Sequence, residues 1–166
     1  MISTKQIRVQ AEQSIGSARL FTTALIDSFP VEHYCWQSFA GQNHLLWIVG
    51  HLARIDDLLL NAVTQPRESR LGSLEQLFEP GSQPQPESEY PKFEIVREHF
   101  DSLRTELMAW FRNLSDIELT QSLPEYVQHI GSSPIDAIFG LAWHEGLHAG
   151  QITTLRRALQ EPPLFF

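Results

Sequence analysis

The sequence predicts an all-α fold: a four-helix bundle with a long crossover between helices two and three. Three observations carry the prediction. Four stretches of twenty-odd residues repeat apolar side chains at helical spacing, strand-like alternation is nearly absent, and polar or proline-rich connections separate the stretches. A chain of 166 residues is expected to form one domain, 1–166, with a sizeable buried core.

Ser3 with Gln6 forms a capping box, so the first helix should begin at Thr4. Ile7, Ala11, Ser14, Ile15, Ala18, Phe21 and Leu25 define its expected core face, and Pro30 ends it. The small members Ala11, Ser14 and Ala18 would let another helix approach closely. An aromatic connection follows, with Tyr34, Trp36 and Phe39 before Gln42. The second helix is expected over about 43–63, with Leu45, Ile48, Leu52, Ile55 and Leu59 as its stripe.

Residues 65–91 hold five prolines and two glycines, and at most one or two helical turns near Leu71 to Phe78. So long a connection is unusual in a compact domain. A crossover along a bundle gives it a use and would leave helices two and three parallel. The third helix should span about 92–113, on the stripe Phe93, Val96, Phe100, Leu103, Leu107, Phe111 and Leu114. A polar connection follows, in which Leu119 to Leu123 reads as a short extended piece. The fourth helix opens at Ser133-Pro134, with proline at the first helical position and Asp136 in the first turn. It should end near Gln160, before Pro162-Pro163. The apolar tail Leu164-Phe165-Phe166 is expected to pack, on this chain or on a second copy.

The net charge of −8 disfavours phosphate backbones and anionic lipid, so neither nucleic acid nor a membrane surface is an expected partner. No apolar run of about 18 residues and no charged-then-apolar leader occurs. Cys35 is the single cysteine, which excludes an internal disulfide and fits a reducing cytoplasm. Between Tyr34 and Trp36 it reads as a small buried hydrophobe.

The chemistry concentrates in the fourth helix, at Ala142-Trp143-His144-Glu145-Gly146-Leu147-His148-Ala149-Gly150-Gln151-Ile152. Histidines four apart stand about 40° apart in azimuth, with Cβ atoms roughly 5–6 Å from each other, and can close on one ion. They also fall on the apolar stripe, where unsatisfied imidazoles would be costly. The spelling H-E-x-x-H matches zinc metalloproteases, in which the Glu is the general base. That reading is disfavoured: no His follows His148, Gly146 interrupts the motif, and no sheet is present to bind a peptide strand. The better third ligand is His51, which lies near the middle of helix two at matching height. Three His ligands with an open position describe a catalytic type of site, and zinc or nickel suits imidazole.

Two segments carry a family resemblance: Ile48-Val49-Gly50-His51-Leu52-Ala53, and Trp143-His144-Glu145-Gly146-Leu147-His148-Ala149-Gly150-Gln151-Ile152. They resemble the signature helices of the DinB-like (YfiT-like) metal-binding superfamily, as does the Tyr90-Pro91 entry to helix three. The resemblance implies a four-helix bundle, usually a homodimer, with His51, His144 and His148 as metal ligands. It further implies a metal-dependent enzyme using a low-molecular-weight thiol, a transferase or isomerase acting on a small-molecule substrate.

The spacing leaves two alternatives open: a metal-dependent hydrolase, or a non-catalytic metal-stabilised dimer serving as a stress-response or binding module. Glu145 lies about 100° off the ligand face and would serve as general base only if it reached the ion's ligand; ion pairing is its plainer role. Gln151 is a candidate to fix a ligand tautomer. Trp47 and Trp143 are candidates to wall a substrate pocket, Arg54 is the one basic candidate near His51, and His44 is a reserve ligand.

Overall fold

The computed structural model describes residues 3–64 and 68–165. Helix α1 spans Thr4–Asp27. Its capping box forms as expected: the Gln6 amide donates to Ser3 Oγ at 3.3 Å, and the Ser3 amide donates to Gln6 Oε1 at 2.8 Å. Ala11, Ile15, Leu25 and Ile26 are buried, whereas Ser14 is exposed and Phe21 is 43% exposed. The expected face was therefore drawn too wide. Ser14 and Phe21 lie about 100° and 120° away from Ile15 around the helix, so burying Ile15 turns both outward. Phe21 instead packs edge-on against Phe165, with ring centroids 4.8 Å apart. Phe166 lies outside the described residues.

Helix α2 spans Leu45–Val63. It starts later than predicted because His44 takes the capping position, its Nδ1 accepting from the Trp47 amide at 3.1 Å. All five stripe residues are buried, and so are Arg54, Asp56 and Asp57, so α2 is covered on nearly every side.

Of the expected crossover, Gln65 and Pro66 lie outside the described residues. The described part forms 3-10 turns at Gly72–Phe78 and Glu87–Glu89. The first packs on α2, where the fully buried Phe78 ring lies over Gly50. A Cβ on Gly50 would come within 2.3 Å of that ring, so a glycine is required there.

Helix α3 spans Phe93–Asn113, with Val96, Phe100, Leu103, Leu107 and Phe111 fully buried. The connection after it contains 3-10 turns at Glu118–Thr120 and Glu125–Val127. The extended piece expected from Leu119 to Leu123 does not form a strand, and no strand occurs among the described residues. An isolated strand has no neighbour to take up its ladder bonds, and the 3-10 turns take up their own.

Helix α4 spans Pro134–Ala158. Ser133 Oγ accepts from the Asp136 amide at 3.3 Å, and Arg156 and Arg157 occupy the last turn, where their charge suits the helix dipole. The bundle pairs α1 with α4 and α2 with α3. The α2 and α4 backbones approach each other less closely. No helix among the described residues is long and apolar enough to cross a membrane.

Candidate metal centre

His51 from α2 meets His144 and His148 from α4, one turn apart, in the gap between the two helices. One ligand atom from each lies within 4.8 Å of the others. His144 Nε2 stands 3.2 Å from His51 Nε2 and 3.2 Å from His148 Nε2. Four ligands at bonds of about 2.0–2.1 Å in a tetrahedron place nitrogens roughly 3.3–3.4 Å apart, so both contacts already match a zinc-like site.

The outer ring nitrogens determine what the inner ones can do. His51 Nδ1 lies 2.9 Å from the Phe78 carbonyl oxygen. A carbonyl only accepts, so the proton sits on Nδ1 and His51 Nε2 presents a bare lone pair. His148 Nδ1 lies 3.1 Å from Gln151 Oε1, which also accepts from Asn43 Nδ2 at 3.4 Å. His148 Nε2 is thereby bare as well. His144 can offer one Nε2 proton to one of these two lone pairs at a time. The other is left facing a nitrogen, which is costly in a buried position and is relieved by a cation.

The cluster resists protonation. Burial lowers the pKa of all three rings, and the neighbouring His51 lowers His144 and His148 further, to about 4 and about 3. Neutral imidazole is the form that binds a metal. His51 and His148 are buried and His144 is half-buried.

The other expected site residues are placed as follows. Trp47 lies parallel to the His51 ring, with centroids 4.7 Å apart and an interplanar angle of 8°, and its Nε1 donates to Ser82 Oγ at 2.9 Å. Trp143 is 69% exposed on the outer side of α4. Arg54 is held by Glu75 at 2.5 Å and by Glu79 at 2.8 Å. His44 caps α2 and meets the Tyr90 ring edge-on at 5.2 Å; its ring is not part of the cluster.

Glu145 is fully buried and faces guanidinium groups. Arg104 Nη1 donates to its Oε2 at 2.7 Å, while Arg104 Nε and Nη2 donate to Asp56 at 3.0 and 2.9 Å. Arg19 Nη2 donates to Asp56 Oδ2 at 3.2 Å. Arg19 Nε lies 3.0 Å from Glu145 Oε1, near enough to attract but too poorly aligned for a hydrogen bond. Each of the four helices thus contributes one charge to a neutral buried quartet beside the histidines. Burial disfavours the Arg104 charge, but Asp56 and Glu145 outweigh it and raise its pKa; burial and Arg104 lower Arg19 to about 10.

Sequence reasoning missed this quartet and the Phe78 carbonyl. A signal for the quartet was present. Asp56 falls between Leu52 and Leu59, and Arg104 between Phe100 and Leu107, so charges stood on stripes otherwise apolar.

A helical bundle with a cluster of three inward-facing imidazoles between two helices defines a class of α-helical protein equipped to bind a metal ion. The chain belongs to the DinB superfamily, whose family model matches residues 18–152. No curated protein matches the chain.

Proposed function

We propose that His51, His144 and His148 hold one divalent transition ion, zinc or nickel, and that the protein is a metal-dependent enzyme activating a low-molecular-weight thiol toward a small electrophilic substrate. The observation that carries this reading is the pair of bare Nε2 atoms, on His51 and His148, facing His144 Nε2 at 3.2 Å. A bound ion supplies Lewis acidity that lowers a thiol's pKa and makes the nucleophile available at neutral pH.

The chain's own residues supply orientation. The Phe78 carbonyl and Gln151 fix two tautomers, and Trp47 holds the His51 ring flat. The half-buried His144 leaves a side by which a thiol can reach the cluster. Glu145, enclosed by Arg104 and Arg19, positions α4 in this reading and moves no proton.

A homodimer is part of the same proposal. Leu20, Trp143 and Leu147 are exposed at 69%, 69% and 49% on the paired helices α1 and α4. Gly146 and Gly150 have open space before them and leave room for the ridges of a second copy. Cys35, half-buried and unpaired by disulfide, fits a reducing cytoplasm.

Elemental analysis of the purified protein beside its His51→Ala variant tests the site: about one ion per chain is expected, lost in the variant. Incubation with a panel of thiols and a generic alkylating electrophile tests the activity. Thiol-dependent turnover abolished in a folded His148→Ala variant supports it. Ester hydrolysis without thiol, or ion binding without turnover, would replace it with a hydrolase or a metal-stabilised module.

A further inference from the structure

The aromatic connection between α1 and α2 takes no part in the histidine cluster. Together with the stretch entering α3, it encloses a half-open cleft of about 690 Å3, within the size range of small-molecule sites. Tyr34, Trp36, Tyr90 and Phe93 supply aromatic walls to it. Tyr34 packs against neighbouring rings, its ring centroid 3.9 Å from Phe93 and 6.5 Å from Phe29, so part of the wall is formed without a ligand. None of the three clustered histidines lines the cleft.

The charges around it are unequal. Glu32 and Glu87 line it against a single ammonium, Lys92, and all three are exposed. Burial shifts two groups in the wall, and nearby carboxylates add to it. The Cys35 thiol is pushed up to about 11, by burial first and Glu87 second. The Tyr34 phenol is raised, by burial and then Glu94, against a smaller opposing effect of Arg97. Cys35 therefore stays a thiol and is no nucleophile here. Aromatic faces and carboxylates both attract a cation, while an anion would meet Glu32 and Glu87 and a neutral molecule would gain from the walls alone.

We propose that this cleft, lined by Tyr34, Trp36, Tyr90, Phe93, Glu32 and Glu87, binds a small organic cation, an amine or quaternary ammonium with an apolar body. The site is separate from the histidine cluster and does not depend on the activity assigned there.

Calorimetric titration of the full-length protein with choline and with its neutral isostere 3,3-dimethyl-1-butanol tests the assignment. Choline should bind saturably and at least about tenfold more tightly than the alcohol. Trp36→Leu should weaken choline about three- to thirtyfold, in keeping with the strength of cation–π contacts, and Glu87→Gln about two- to fivefold, in keeping with exposed charge contacts. His148→Ala should leave choline binding unchanged, which separates this site from the metal centre. Should Trp36→Leu fail to fold, Glu32→Gln on the exposed rim gives the same reading. Equal binding of alcohol and choline, no saturable binding of choline, or choline binding indifferent to both Trp36→Leu and Glu87→Gln would overturn the proposal.

Discussion

Arg104 on α3 donates to Glu145 on α4 at 2.7 Å, and the same guanidinium grips Asp56 on α2 through two further bonds. One side chain thus ties three helices, and it does so at the residue following His144 of the histidine cluster. Removing it would leave two buried carboxylates to share Arg19 alone. Arg104→Met should lower the free energy of unfolding by about 3–5 kcal/mol, the cost of breaking one side of a buried ion pair. Denaturant unfolding with a two-state fit measures this. A loss below about 1 kcal/mol would mean that water or a neighbouring group takes the guanidinium's place.

Gly50 should be intolerant of any side chain, for a reason that reaches the metal centre. An added Cβ meets the Phe78 ring at 2.3 Å, and the carbonyl of Phe78 sets the His51 tautomer. Gly50→Ala is expected to cost about 1–3 kcal/mol by overpacking and to weaken metal binding about 10–100-fold, as loss of a ligand's outer partner does. Gly16→Ala is the control: nothing lies within 4 Å of its Cβ, and in mid-helix it should stabilise by about 1 kcal/mol. Metal titration and thermal melts of the two variants distinguish the cases. Equal metal affinity in both would disprove the link between Phe78 and His51.

The metal-free protein should lose stability in acid over a defined window. Unfolded imidazoles take up protons near pH 6.5, whereas in the folded chain burial holds His44 and His144 to about 4 and His148 to about 3. Between those values the unfolded chain binds more protons. The contribution is therefore fully present above pH 6.5 and is lost as pH falls toward 3 to 4. Melting temperature against pH, recorded after chelation, should fall from about pH 6.5 downward. In the His148→Ala variant the fall should be shallower; an unchanged slope would show that His148 is protonated as readily in the folded chain as in the unfolded one.

Much of this was legible in the chain. Each helix announced itself by apolar periodicity, and the i, i+4 histidines with His51 at matching height pointed to the cluster the structure brings together. What escaped notice depended on partners distant in sequence. Phe78 reaches His51 from the end of a short 3-10 turn through a backbone carbonyl, which no side-chain pattern marks. The sequence suggests ion pairing for Glu145 without naming a partner, and Arg104, Asp56 and Arg19 join it only when four helices are assembled. Ser14 and Phe21 were misplaced because a run of small and apolar residues on α1 fits two neighbouring azimuths, and only the packing of Ile15 against its neighbours chooses between them.

The turn at Gly72–Phe78 is fastened to α2 by Arg54 with Glu75 and Glu79, by Phe78 over Gly50, and by the carbonyl on His51. An ion drawing His51 toward α4 would pull on that carbonyl too. Occupancy of the centre should accordingly be readable from outside the bundle: a protease attacking the crossover, or deuterium entering its amides, would advance more slowly on the loaded protein than on the empty one.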